Sequence, residues 1–233
     1  MYKRFEKADE VNGFSVEDRL PVTITEISVQ KKNRERFSLF HEGTFIIGVS
    51  AKTLTDFALQ KGVEMTPSLY REIETSENLH AVKENALRYL ARRDHASTEL
   101  LQKLQKKGFD PSAIEIVIDD LAERGYIDDE MFAASFAAEK AELNKWGPKK
   151  ITAALFKKAL PKQIVERAVK KATENLHQVQ ICVDLALKKK RHFLRELDPY
   201  KRKQKIYNYL AGRGFSNSDI KKSIPLITDA IDA

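Results

Sequence analysis

The sequence has one cysteine, Cys182, so no internal disulfide framework holds the fold. Proline and glycine are few, seven and nine in 233 residues, which argues against a turn-rich all-β chain and for long helices. No apolar run approaches the ~18 residues of a membrane span. The start, Met1-Tyr2-Lys3-Arg4-Phe5-Glu6-Lys7, lacks the apolar core of a secretion signal. The expectation is a cytoplasmic protein without a membrane partner. A mean hydropathy of −0.46 permits a core, but a thin or elongated one.

Chemistry-bearing motifs are also missing. His41, His80, His95, His177 and His192 are not paired with one another, with cysteine or with a carboxylate at metal-ligand spacing. There is no phosphate-cradling glycine loop and no nucleophile elbow. Cys182 lies between Ile181 and Val183 and reads as a core thiol. The acidic neighbours Asp119-Asp120 and Asp128-Asp129 would face different directions on a helix, which argues against a shared acid–base role. Asp128 reads instead as a helix cap. No catalytic residue, cofactor or metal is expected, and the chain reads as a non-enzyme.

Charge is present and unevenly placed. Residues 1–80 hold 11 Lys and Arg against 13 Asp and Glu, and residues 81–139 hold 8 against 12. Residues 140–222 hold 22 against 7, a block of +15 within a chain of net +7. Such a block attracts a polyanion and speeds encounter with it. The plainer reading is a surface kept soluble by lysine, but confinement to one region favours a partner.

Residues 22–49 read as strands. Val22 and Ile24 alternate, and Ile27 and Val29 alternate one register later, which suggests a bulge near Thr25-Glu26. Phe37 and Leu39 follow, then Phe45, Ile47 and Val49. Lys31-Lys32-Asn33-Arg34 is a polar turn, and Glu42-Gly43 a hairpin turn, because glycine accepts the positive φ required there. A small three-stranded antiparallel sheet follows. Ser50 caps a short helix bearing Leu54, Phe57 and Ala58, with Gly62 at its end. Thr66-Pro67 opens a long helix running to about Arg93, with an interruption expected near Ser76-Glu77-Asn78. The sheet could brace that helix or hold a partner of its own.

A repeat then organises the chain. Leu100, Leu101 and Leu104 lie on a short helix ended by Lys107-Gly108-Phe109. Asp110-Pro111 starts another, with Ile114, Val117, Ile118 and Leu121 on one face. Displaced by 106 residues, the pattern returns as Ile206, Tyr207 and Leu210, then Arg213-Gly214-Phe215. Ser216 with Asp219 forms a capping box there, followed by Ile220, Ile224 and Ile227. A weaker copy lies between: Ile151 and Leu155, then Lys157-Lys158-Ala159-Leu160, then Pro161 and Ile164 with one residue deleted. A longer helix precedes each copy, near 80–93, 129–144 and 175–194. The fold class is mainly α: three tandem three-helix repeats in an elongated array, preceded by a small antiparallel β-sheet segment. The divisions are 1–65 for the sheet extension with a short helix, 66–127 for the long helix and first repeat, 128–173 for the second and 174–233 for the third.

The Gly-Phe turns are read as helix ends rather than ligand sites. The basic residues differ, because folding does not require them. The candidates are Lys149, Lys150, Lys157 and Lys158 in the second repeat. In the third they are Lys188, Lys189, Lys190, Arg191, Arg195, Lys201, Arg202, Lys203, Lys205 and Arg213, with Lys221 and Lys222 beyond. Contacts from these residues to phosphates would give salt-dependent, weakly sequence-specific binding. Among the nearby tyrosines, Tyr207 reads as core, while Tyr200 or Tyr209 could stack on a base. The unit also has the outline of a helix-turn-helix. Its candidate third helices hold mostly Ile, Lys, Asp and Ser rather than base-edge donors, so sequence-specific readout is not expected.

These residues resemble the RecX family. The carrying motifs are Ala86-Leu87-x-x-Leu90, Leu100-x-x-x-Leu104-x-x-Lys107-Gly108-Phe109, and Ile118-x-x-Leu121-x-x-x-Gly125-Tyr126-Ile127-Asp128-Asp129-x-x-Phe132-Ala133. Trp146-Gly147-Pro148-x-x-Ile151 opens the second repeat, and Leu210-x-x-Arg213-Gly214-Phe215 lies in the third. The match covers about two-thirds of the chain, and the leading strands resemble the N-terminal extension of Gram-positive members. Ala159-Leu160 departs from the Lys-Gly-Ile type of turn. The resemblance implies a non-enzymatic regulator of RecA, active in recombination, DNA repair and the SOS response. It implies binding to RecA and to the RecA–DNA filament, with inhibition of RecA ATPase and strand exchange. Single- or double-stranded DNA would meet the basic half of a monomer. The alternative is a free-standing, weakly sequence-specific DNA-binding helical protein that acts without RecA.

Overall fold

A computed structural model describes residues 16–31 and 33–232. The seven-residue start discussed above lies outside the described residues. The chain forms two compact units. One holds the residues up to Arg93 together with Leu100–Glu123; the other holds Asp94–Glu99 together with Arg124 onward.

In the first unit, β1 (Val22–Thr23) pairs antiparallel with β5 (Glu64–Met65). Strands β2 (Glu26–Gln30), β3 (Asn33–His41) and β4 (Thr44–Ser50) form a three-stranded antiparallel sheet in the order β2-β3-β4. The phase change at Thr25-Glu26 is therefore not a bulge. It marks where the chain leaves the two-stranded sheet for the three-stranded one, and the register shifts lie at Val29/Gln30 and Leu39/Phe40 instead. The polar turn is also shorter than expected: Asn33 and Arg34 belong to β3, and Lys32 lies outside the described residues. Glu42 and Gly43 both take positive φ, 46° and 77°, which matches the right-handed twist of a tight hairpin. Phe37 pairs with Val49 and Leu39 with Ile47. Leu39, Val49, Ile24, Met65 and Ile73 are fully buried in the core of this unit.

Ser50 caps α1 (Ala51–Asp56), its Oγ accepting from the Thr53 amide at 3.1 Å. The helix ends earlier than the glycine suggested. Ala58 takes the left-handed conformation (φ 46°), and Gly62 lies in the turn before β5. Thr66 caps α2 (Pro67–Leu90), which runs without the expected interruption at Ser76-Glu77-Asn78. Glu77 breaks the polar pattern because it points inward. It is 1% exposed, and its Oε1 accepts from the Ser50 amide at 2.7 Å and the Thr53 hydroxyl at 2.5 Å. Its Oε2 lies 2.9 Å from Arg36 Nη1 as an ion pair rather than an aligned hydrogen bond. Arg36 in turn donates to the Gly48 carbonyl at 2.8 Å. Burial opposes the charge on Glu77. The Ser50 and Thr53 donors and the Arg36 guanidinium outweigh it and hold the carboxyl below its usual range. One buried carboxylate thus ties the sheet to the long helix, so the sheet braces α2.

The first repeat uses the end of α2, α3 (Ser97–Gln105) and α4 (Pro111–Glu123). Leu100, Leu104, Ile114 and Leu121 are fully buried. Lys83 and Asp120 pair at 2.6 Å between α2 and α4.

The second repeat holds α5 (Asp129–Glu142), α6 (Pro148–Phe156) and α7 (Lys162–Thr173). Its core includes Phe132, Ala133, Ile151, Leu155 and Val165. The third holds α8 (Gln178–Leu187), α9 (Lys190–Phe193), α10 (Pro199–Gly212) and α11 (Asn217–Asp232) around Cys182, Phe193, Ile206, Phe215 and Ile220. The long helix expected over 175–194 is broken. Lys188 and Lys189 interrupt it, and α9 turns Phe193 into the core. Burial pushes the Cys182 thiol up to about 12, with Asp219 adding to the effect, as a core thiol requires.

The backbone makes the repeat plainer than the side chains do. Gly108, Ala159 and Gly214 stand at equivalent helix ends with φ of 88°, 54° and 91°. The Phe109 amide donates to the Leu104 carbonyl at 3.4 Å, and the Phe215 amide to Leu210 at 3.3 Å. Both are six-to-one helix-ending bonds. Ala159 adopts this conformation against its own steric preference, so the middle copy makes the same turn without a glycine.

Candidate nucleic-acid interface

The most specific family motif is scaffolding except at Tyr126, which is 59% exposed. Gly125 takes φ 75°, and Ile127 is buried. Asp128 caps α5 by accepting from the Met131 amide at 2.8 Å. Asp129 accepts from the amide and hydroxyl of Ser97, at 2.8 and 3.0 Å. Phe132 and Ala133 enter the core.

All fourteen basic candidates lie in the second unit. They do not form one set. The segment Leu187–Arg195 lines an open concavity of about 790 Å3, to which Lys188, Lys189, Lys190, Arg191, His192 and Arg195 contribute with Leu187 and Leu194. The break between α8 and α9 causes this crowding, since it folds consecutive cations around one hollow. Lys188, Arg191 and Arg195 are exposed.

A second group gathers where the second and third repeats meet. Lys150 Nζ lies 4.4 Å from the Trp146 ring. Lys189 Nζ and Arg213 Cζ lie 4.8 and 5.7 Å from the Tyr209 ring. Arg213 Nη1 donates to the Asn144 carbonyl at 3.4 Å, and the Lys149 amide to the Gly214 carbonyl at 3.0 Å. Cations from both repeats therefore share one seam, with the α8–α9 hollow joined to it through Lys189.

Other candidates have structural duties. Lys158 pairs with Glu99 at 2.9 Å and lies over the Phe132 and Phe136 rings. Lys190 donates to the Ala230 carbonyl at 3.0 Å. Arg202 donates to the Glu196 carbonyl at 3.0 Å and to Asp232 at 2.7 Å. Lys205 pairs with Glu196 at 2.6 Å and helps hold that carboxyl below its usual range. Lys157, Lys201 and Lys203 are exposed.

Of the tyrosines, Tyr200 is 77% exposed and available to stack. Tyr209 is half-buried under its two cations, and Tyr207 packs on the core while its hydroxyl donates to Asn217 at 3.0 Å. Sequence reasoning missed Trp146 and Gly147 as seam residues. Their motif was visible, but Arg213 and Gly214, the partners of Gly147, lie more than sixty residues away along the chain.

Four family models match this chain. The N-terminal domain of the regulatory protein RecX matches residues 22–66, and the first, second and third RecX three-helix domains match 83–121, 128–169 and 177–224. The chain belongs to the RecX family. A regulatory protein RecX of Staphylococcus carnosus is 32% identical over 203 residues, 86% of this chain and 74% of that one. One of Clostridium beijerinckii is 29% identical over 210 residues, covering 90% and 97%. A crystal structure of a regulatory protein RecX aligns with a TM-score of 0.70 at 25% identity, over 89% of this chain and 98% of the other. RecX from Lactobacillus salivarius aligns with a TM-score of 0.58 at 26% identity, over 66% and 98%. The match confirms three three-helix domains behind a small N-terminal sheet. Among the described residues, no helix is long and apolar enough to cross a membrane, and no group of three or more His, Cys, Asp and Glu could hold a metal.

Proposed function

We propose that this RecX-family chain is a non-enzymatic, cytoplasmic regulator of homologous recombination and DNA repair within the SOS response. It acts as a monomer on the RecA–single-stranded DNA filament and inhibits RecA ATPase and strand exchange. The observation that carries the reading is the seam, where cations of two repeats meet beside the α8–α9 hollow. A surface of that kind suits a phosphate backbone that a filament displays along its length. A duplex-reading helix-turn-helix is less well supported. Asn217, at the start of α11, already accepts the Tyr207 hydroxyl on its Oδ1, so a bidentate contact to an adenine edge would have to break that bond.

RecA-dependent ATP hydrolysis on single-stranded DNA should fall as the chain is added, and no change at saturating protein would overturn the proposal. Charge reversal at Lys188, Arg191 and Arg195 should weaken inhibition and leave the fold intact. Arg202 and Lys158 are poor choices for that experiment, because their side chains hold the structure together.

A further inference from the structure

Gly147 and Gly214 come from different repeats, yet their backbones touch. The Gly147 amide donates to the Arg213 carbonyl at 2.8 Å, and the Lys149 amide donates to the Gly214 carbonyl at 3.0 Å. A Cβ on Gly147 would stand 2.4 Å from the Gly214 carbonyl carbon and oxygen, and one on Gly214 would stand 2.4 Å from Lys150 Cβ. No side chain fits at either place. Local geometry explains the glycine at 214, whose φ is 91°. It does not explain the one at 147. There φ is −76° and ψ 162°, an ordinary cap conformation open to any residue. Crowding against the other repeat is what excludes a side chain at 147. Gly212, two residues before Gly214, has nothing within 4 Å of a built Cβ, so the crowding is confined to the joint.

We infer that the Gly147–Gly214 joint is a register clamp: it fixes the second and third repeats as one body and so aligns the cations of both into one track for a single-stranded polyphosphate. Lys149 and Lys150 stand on one side of the joint, and Arg213 and Lys189 on the other. Trp146 and Tyr209 lie among these cations, an alternation of charge and ring that suits a flexible strand with unstacked bases. A preorganised track engages phosphates of both repeats at once. Two loosely tethered repeats would lose that advantage in effective concentration. The inference rests on the nucleic-acid part of the reading above, and it makes Gly147 a positioning residue.

The test uses the full chain with Gly147→Ala and Gly147→Val, and Gly212→Ala as control. Binding is measured to labelled oligothymidylates of about 30 and about 8 nucleotides, the shorter sized for one repeat. The long-strand Kd should rise at least ~10-fold in both variants, with a shallower salt dependence. The short-strand Kd, the far-ultraviolet circular dichroism and the control should hold. Faster amide exchange at Lys149 reports that the joint has opened. An opened joint with unchanged long-strand affinity overturns the inference. So does equal loss on both strands, a joint that stays protected with valine at 147, or wild-type protein that binds duplex better than the long strand. If both variants unfold, Lys149→Ala and Lys189→Ala decide: each must weaken the long-strand complex, and an effect from one alone overturns the track. RecA inhibition is measured in parallel. Inhibition without DNA binding sinks this inference alone, and DNA binding without inhibition sinks the RecA reading alone.

Discussion

Two joints hold this protein's elements in place, and they work by opposite means. In the first unit the sheet is fastened to α2 by a buried carboxylate, Glu77, with Ser50, Thr53 and Arg36 converging on it. In the second unit the repeats are fastened by two glycines and a pair of backbone hydrogen bonds. The first joint depends on every partner being present, because a buried charge is tolerable only when neutralised and hydrogen-bonded. The second depends on atoms being absent. The same contrast runs through the repeats. The turns at Gly108 and Gly214 share a conformation, but a Cβ at Gly108 would meet open space and one at Gly214 would meet Lys150. One sequence signal thus serves a helix end in the first repeat, and a helix end plus a joint in the third.

The strongest way to break the contrast is Glu77→Ala. Removing one partner of a buried pair should destabilise the first unit by about 3–5 kcal/mol, read from denaturant unfolding of the full chain. A loss under about 1 kcal/mol, the scale of an exposed pair, would mean that the clamp carries no load. Next come the two glycine turns. Gly108→Ala should cost about 1–2 kcal/mol, the left-handed strain alone. Gly214→Ala should add about 1–3 kcal/mol of overpacking to that strain. Equal losses at the two positions would erase the distinction between them.

Acid should separate the joints without mutation. The folded Glu77 carboxyl titrates below its ordinary value of 4.5. Its stabilisation is therefore complete above that value and fades as pH falls through the lower folded pKa. Hydrogen exchange in β4 and α2 should quicken in that window in the wild type, and Glu77→Gln should flatten the response. The glycine joint is made of backbone hydrogen bonds with no carboxylate in them, so amide protection at Lys149 should not follow the same curve. The smallest effect is expected at Ala159→Gly. It relieves a left-handed alanine and should stabilise the second repeat by about 1 kcal/mol, part of which the freer unfolded chain takes back. A loss of stability there would mean that the alanine side chain is needed in that turn.

Much of the fold was legible because its signals are local. The Glu42-Gly43 hairpin, the caps at Ser50, Thr66, Asp128 and Ser216, and the spacing of Leu100, Leu104 and Ile114 each depend on near neighbours in sequence. The misreadings have a shared cause. Ser76-Glu77-Asn78 looked like a break because Glu77 is polar, and its partners come from α1 and the sheet. The phase change at Thr25-Glu26 looked like a bulge because β5, the partner of β1, lies some forty residues on. The basic candidates were a correct list of charges. Lys158, Lys190, Arg202 and Lys205 turned out to have intramolecular partners that a list does not show.

By itself the sequence determined the three repeats, their capped helices and the concentration of positive charge in the later two. Periodicity, propensity and net charge are sums over neighbouring residues, so they survive without coordinates. The tertiary structure decided which cations gather at the seam and which hold other elements in place, and that α2 is anchored by a buried charge. It also decided why glycine stands at 147, where the local backbone would accept any residue. Each of these depends on atoms that meet across dozens of residues, and such meetings leave no period in the sequence. What excludes a side chain at Gly147 is the backbone of Gly214, brought there by folding alone.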